Sequence, residues 1–571
     1  MHAECTDEVL LTRALNFMRR THMPTYMGLR ILGRQFPNDT RANLINNFIH
    51  YKLVKGMEPT FHSFKMLKSL GREPTYREAW IGSPSETLME TWLLRRLETV
   101  KMSSNVYSYM WPSKTSSQIY HYFLDGYRER NRRISERLSS AGVHVAYITD
   151  IKSYYPSIDQ SALRLKVHKI FDQNLPTDLQ RPAKELVEAL FALAGGSGIP
   201  IGPPMCHWLG QVAMEDVDDA LGSQFGDAYF RYVDDIVVIG SVPESSKIAG
   251  VVDTAVRSIG LQPNEDKTIT VSARQWTSGY EQTMRTTDLA AAFNGLVADL
   301  TSYFIRNSDR ERRRLKDLFR EHGFSMPFFS VESQMVYNRF RVWLRIRDRI
   351  ALRHTEEQLL SNAIKIRNQL LWHLEHSLYQ DIENMMDRRW YVQRMKFLLG
   401  RAFYVVPLEH YQHVENLIPN IPELSPYTVL FRALRNRTPS DAYDLSGQFA
   451  ALFSAIWREN NLGTHKINLS TVLPHQFDAV QVLLLYGICE ATDIANSDVS
   501  ASDETILKFC LGNGSSTRSL RDLSYADELN SLAIGVSREE FRSLLDTRFN
   551  MYEDYWERPS GHYEGGGGYG N

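Results

Sequence analysis

The sequence predicts an α+β protein, with an antiparallel sheet backed by helices followed by a large all-α C-terminal region. Three observations carry that expectation. Residues 141–280 alternate short β-branched, apolar runs with stretches of helical spacing. One of those runs is pinched in two around Asp234-Asp235, the pattern of a hairpin. From about residue 285 onward strands are hard to find, and Arg-rich amphipathic stretches such as 303–322 and 336–400 dominate.

The elements follow in order. VHVAYITDI (143–151) is β-branched and aromatic, and predicts a strand ending at Asp150. Residues 161–193 have helical spacing, interrupted near Pro176 and Pro182. GGSGIPIGPP (195–204) is a Gly/Pro-rich loop, and MCHWLGQVAMEDVDDAL (205–221) predicts one helix. DAYFRYVDDIVVIG (227–240) predicts the hairpin, followed by a helix at about 245–259 and a strand at about 267–272. No repeat of fixed period is visible, and the final GHYEGGGGYGN (561–571) is low-complexity and expected to be disordered.

The chain has 571 residues, 43% hydrophobic, 23% charged and 11% aromatic, which excludes wholesale disorder and a collagen-like fibre. Cys5, Cys206, Cys489 and Cys510 show no C-x-x-C spacing, so neither a zinc module nor a disulfide framework is expected. No apolar run approaches a membrane span, and MHAECTDEVL has acids where a signal peptide needs bases. These features predict a cytoplasmic, soluble protein without a membrane partner. The 65 Lys+Arg and 67 Asp+Glu give a net charge of −2 that hides an uneven distribution. Residues 1–140 and 301–401 each carry +8, residues 141–300 carry −8, and residues 402–571 carry −10. Basic segments around clustered carboxylates suit a polyanion channel leading to metal ions, although solvated helix faces produce such runs more often.

Asp150 and the Asp234-Asp235 pair lie 84 residues apart, and a sheet would bring strand end and hairpin tip together. Three converging carboxylates repel unless cations neutralise them, and hard oxygen ligands favour Mg²⁺ or Mn²⁺. Two such ions can stabilise the attacking and leaving oxygens of an in-line phosphoryl transfer. A lone Asp-Asp on a turn more often only caps a surface hairpin.

Here the pair is not alone. Asp150-Ile-Lys-Ser-Tyr-Tyr-Pro-Ser-Ile158, Gly198-Ile-Pro-Ile-Gly-Pro-Pro204, Tyr232-Val-Asp-Asp235 and Asn264-Glu-Asp-Lys-Thr268 come in one order. That order and those spacings resemble motifs A, B, C and D of the reverse transcriptase palm, over about residues 75–290. The loop, the Tyr107-Ser108-Tyr109 segment and the long helical C-terminus are similar to the AbiK-like, "unknown group" branch of bacterial abortive-infection and defence reverse transcriptases. The stretch after Trp111-Pro112, through Asp125-Gly-Tyr-Arg-Glu-Arg-Asn131, resembles the second polymerase of two-polymerase defence systems.

The resemblance implies a right-hand fold and a division of labour. Residues 1–140 would be an N-terminal extension and fingers, 141–285 the palm, 286–405 basic thumb-like helices, 406–555 an acidic helical domain and 556–571 a tail. Asp150 and Asp234 would be the main ligands of two Mg²⁺ ions, Asp235 assisting and Ile151 contributing beside Asp150. Tyr155 falls where the family places an aromatic steric gate against the 2′-hydroxyl, whereas Tyr154 packs the palm core. Lys152, Pro200, Ile201 and Gly202 would line the nucleotide, and Lys267 would sit near its triphosphate. Ile201 stands where many relatives carry Gln, and Met110 where many carry a base, so Lys114, Arg95 and Arg128 all remain candidates for gripping the triphosphate. Arg312, Arg313, Arg345 and Arg349 are candidates for nucleic-acid contacts among the arginines of 306–349.

The activity implied is deoxynucleotidyl transfer from dNTPs to a DNA product in antiviral defence, protein-primed or without a conventional template. Partners would be a non-coding RNA or a second polymerase subunit in an oligomeric assembly. Which of the 28 tyrosines would prime is open, with Tyr563 and Tyr569 in the tail expected to be sterically free. An RNA-templated polymerase of another role, or a palm scaffold that binds RNA or protein, are the alternatives. Arg367 and His373 have the spacing of a HEPN ribonuclease pair, but six helical residues put them on opposite sides, so a structural helix is expected.

Overall fold

The computed structural model describes residues 7–35, 58–70, 74–113, 116–140, 144–284, 287–332, 352–377, 385–493, 500–512 and 524–546. It begins with helices α1 (Asp7–Thr21) and α2 (Met23–Gln35), then an antiparallel hairpin of β1 (Phe61–Leu70) and β2 (Pro74–Gly82). Helix α3 (Pro84–Leu97) follows directly, its first turn capped by the Ser83 hydroxyl accepting from the Glu86 amide, with Pro84 at the position where a missing N–H costs nothing. Helix α4 (Phe123–Leu138) leads into the central sheet.

That sheet is antiparallel in the order β4-β5-β3-β6, formed by β3 (His144–Thr149), β4 (Tyr229–Tyr232), β5 (Asp235–Ser241) and β6 (Ile269–Ser272). Between β3 and β4 come α5 (Tyr154–Ser157), α6 (Gln160–Asn174), α7 (Thr177–Leu193), α8 (Pro204–Ala213) and α9 (Glu215–Phe225). Helix α10 (Ser245–Ser258) joins β5 to β6 and buries Ile248, Val252, Ala255 and Val256. The strand, hairpin and helix expectations for this region hold within a few residues. Two details differ. The helix expected at 205–221 is two, because the Met214 amide turns back to Gln211 O and breaks the ladder. Pro182 does not interrupt α7: the buried stripe of Leu179, Ala183, Leu186 and Leu190 outweighs one lost ladder bond.

The remainder is mainly helical: α11 (Ala273–Met284), α12 (Thr287–Arg306), α13 (Asp309–Glu321), α14 (Glu356–Glu375), α15 (Met385–Val405), α16 (Tyr411–Leu417), α17 (Ser425–Asn436) and α18 (Gly447–Glu459). It is not all-α, however. β7 (His465–Asn468) and β8 (Cys489–Asp493) pair in parallel, with α19 (Phe477–Leu485) as their crossover. Helices α20 (Ala501–Cys510), α21 (Tyr525–Leu532) and α22 (Arg538–Asp546) complete the described chain.

These last helices close onto the first ones. The Glu528 carboxylate accepts from the Ser85 amide and hydroxyl, each at 2.7 Å, at the N-terminus of α3. The Tyr525 hydroxyl lies 2.7 Å from Thr25 Oγ1, and its ring stacks 5.0 Å from that of His62. Tyr303, Phe304 and Trp390 are core residues, and Tyr391 is partly buried. Among the described residues no helix is long and apolar enough to cross a membrane. Cys206, Cys489 and Cys510 are free and buried.

Candidate functional site

The carboxylates come together through strand register. β3 pairs with β5 so that Thr149 faces Ile236, and with β6 so that Ile148 faces Ile269. Continuing each ladder by one or two residues puts Asp150 beside Asp235 on one side and Lys267 on the other. Asp150 is held by backbone pairing: Asn264 N donates to Asp150 O at 2.7 Å, and Ile151 bridges to Pro263. Asp234 sits on the two-residue turn between Tyr232 and Asp235, where Val233 adopts φ 57°, a left-handed conformation unfavourable to a β-branched residue.

A buried polar network holds that strained turn. Arg231, 1% exposed, makes a two-pronged pair with Asp218 at 2.7 and 2.6 Å, and donates to Gln211 Oε1 and Val233 O. Gln211 donates to Ser108, whose hydroxyl accepts from the Val233 amide at 2.7 Å. The Tyr-Ser-Tyr segment thus lies against the hairpin edge, with Tyr107 N donating to Arg231 O at 2.9 Å.

Protein cations meet the acids. Lys267 Nζ pairs with Asp150 Oδ2, while Asp150 Oδ1 is buried with no hydrogen-bond partner. Burial, then Asp235, then Asp150 push the Asp234 carboxyl up to about 6. Burial also penalises Asp235, but Arg389 at 3.1 Å and Arg130 at 3.7 Å more than offset it and hold this carboxyl below its ordinary value. Among the described residues no group of three or more His, Cys, Asp and Glu side chains converges to hold a metal ion. The donors that fit a hard divalent cation are Asp150, with its unpartnered oxygen, and Asp234, which among the described residues makes no ion pair and feels Lys267 only at a distance; Asp235 is turned to arginines instead.

The nucleotide-lining candidates cluster nearby. Gly198 N donates to Ile158 O and Ile199 N to Tyr155 O, so the 198–204 loop rests on α5. At Gly202, with φ 121°, a Cβ would stand 2.1 Å from Trp80 O, and the Trp80 amide donates to Ile201 O at 2.7 Å. Pro200 is buried, and the Lys152 side chain is exposed. Tyr154 is core, its hydroxyl donating to Gly210 O, whereas Tyr155 is half-buried.

The distal arginines are less free than the sequence suggests. Arg312 pairs with Asp309 at 2.9 Å, and Arg313 Nε donates to Asp309 O at 3.3 Å. Arg345, Arg349 and Lys114, like Tyr563 and Tyr569, lie outside the described residues. Arg95 is paired with Glu98, and Arg128 with Asp125 at 3.4 Å. Arg367 donates to His322 O and packs over Phe324, a structural role. Residues that sequence reasoning missed are Arg130, Arg389, Arg231, Asp218 and His207; Arg231, adjoining Tyr232, and Arg130, within the Asp125–Asn131 stretch, carried a positional hint.

No protein-family model matches the chain, and a search of curated proteins finds no match to it.

Proposed function

We propose that the chain is a reverse-transcriptase-type DNA polymerase that adds deoxynucleotides from dNTPs and acts in bacterial antiviral defence. One observation carries the reading: strand register gathers Asp150, Asp234, Asp235 and Lys267 at one end of an antiparallel sheet, with the 198–204 loop and Tyr155 nearby. Asp150 and Asp234 would hold divalent ions, two Mg²⁺ or else Mn²⁺. When bound, the ions supply charge stabilisation for the oxygens of phosphoryl transfer. Lys267, already at Asp150, would exchange part of that pairing for the triphosphate. Tyr155 would exclude the 2′-hydroxyl, and the loop backbone would border base and sugar. A non-coding RNA or a second polymerase subunit would complete the assembly in the cytoplasm.

A second reading, a palm-like scaffold for RNA or protein, is favoured by the pairing of Asp235 with Arg389 and Arg130, which satisfies an acid without metal. The two readings separate in one experiment. Purified protein with Mg²⁺ and labelled dNTPs should make polymer, and Asp150→Ala and Asp234→Ala should each abolish it together with phage protection. Protection that survives both substitutions would rule out catalysis as the function.

A further inference from the structure

Around the Tyr155 ring the chain builds an aromatic clamp that phosphoryl transfer itself does not require. The Tyr155 hydroxyl and His207 Nδ1, on α8, share a hydrogen bond at 2.9 Å, with the rings edge-on at 6.1 Å. Tyr109 stacks flat on the imidazole, 4.1 Å between centroids and 9° between planes. Tyr109 adopts φ 47° to do so, an uncommon conformation for an aromatic residue. Tyr120 packs edge-on against both Tyr109 and His207 and is itself anchored by donating to Pro204 O at 2.7 Å. On its other side Tyr155 meets Tyr154 edge-on at 5.2 Å.

Every ring in this cluster therefore has a fixed partner. Burial pushes His207 down to about 3, so it stays neutral at physiological pH and brings no charge toward a nucleotide. The imidazole also lines, with Ile201 and Gly202 of the loop, a cavity of about 320 Å³ whose other walls include Arg20, Phe64 and Gln448, so it touches both the Tyr155 hydroxyl and the space beside that loop. Rejection of a single hydroxyl by contact depends on where the rejecting ring is held, and a displacement of about 1 Å is enough to admit it.

We infer that His207 and Tyr109 are positioning residues that lock the Tyr155 ring and thereby set the discrimination between deoxyribo- and ribonucleotides. The inference rests on the polymerase reading above and adds to it the residues that determine sugar selectivity.

The test is single-nucleotide incorporation by the full-length protein with Mg²⁺, comparing kcat and KM for dNTP and rNTP. His207→Ala should lower the dNTP-over-rNTP selectivity about fivefold, the effect of one lost neutral hydrogen bond, chiefly through a lower KM for rNTP. His207→Asn, which keeps an acceptor near the position of Nδ1, should recover part of the loss. Tyr155→Phe removes one oxygen and should reproduce the His207→Ala effect; it carries the test alone should His207→Ala fail to fold. Wild-type incorporation with unchanged selectivity in Tyr155→Phe and in any folded His207→Ala would overturn the clamp and leave the polymerase reading standing. Absence of incorporation by the wild type would overturn both.

Discussion

Asp234 is a strained residue electrostatically as well as by location. It stands next to a left-handed Val233, and burial and its acidic neighbours raise its carboxyl to about 6, from an ordinary value near 3.8. A raised folded value means that the folded chain holds the proton more tightly than the unfolded chain. The cost is absent below about pH 4, grows between 4 and 6, and is fully present above. Asp234→Asn should therefore raise stability in metal-free buffer at pH 7.5 by about 2–3 kcal/mol, with the gain vanishing near pH 4. Denaturant titrations at both pH values check this. Mg²⁺ should raise the melting temperature of the wild type more than that of Asp234→Asn, since a ligand that binds only the folded state stabilises it.

At the scale of elements, the site depends on contacts between segments far apart in sequence. Helix α15 delivers Arg389 to Asp235 across 154 positions, and α4 delivers Arg130. Arg389→Ala should cost about 1–2 kcal/mol, because Arg389 is partly exposed and Arg130 remains. The readouts are chemical denaturation and an upward shift of the Asp235 titration followed by NMR. Gly202→Ala should cost more, about 3 kcal/mol, since the added methyl collides with Trp80 O at a backbone angle open mainly to glycine; loss of soluble yield or of melting temperature reports it.

The same contacts explain what the sequence reveals and conceals. Asp150, the hairpin and the strand before α11 are legible because period-two apolar runs and a two-residue turn are local patterns. Arg389 is concealed because its partner depends on how α15 packs, and an arginine beside another on a helix reads as a solvated face. His207 follows a proline-rich loop in an apolar helix, where nothing marks it as a partner for Tyr155. β7 reads His-Lys-Ile-Asn, with one buried side chain in four, so its strand character comes from pairing with β8 rather than from pattern.

At the scale of the whole molecule, the two ends of the chain are joined. Glu528 caps the N-terminus of α3, which in turn supports the 198–204 loop: the Glu90 carboxylate on α3 accepts from the Met205 amide at 2.8 Å. Glu528→Ala would leave the buried Ser85 amide unpaired and should cost about 1–3 kcal/mol in urea denaturation. Tyr525→Phe, which removes one hydroxyl from the contact with Thr25 and His22, should cost about 1 kcal/mol.

The capping of α3 by Glu528 also bears on when the protein becomes competent. Residues 144–272, which carry the acids and the central sheet, leave the ribosome long before Glu528 does. Until that carboxylate emerges, the Ser85 amide at the N-terminus of α3 lacks its acceptor, although Ser83 already caps the Glu86 amide, and the 198–204 loop rests on a helix without its most distant partner. A chain interrupted during synthesis would carry every acid of the candidate centre on an unfinished platform. The last helices thus make the support of the site a property of the whole chain, completed only when its most distant residues are in place.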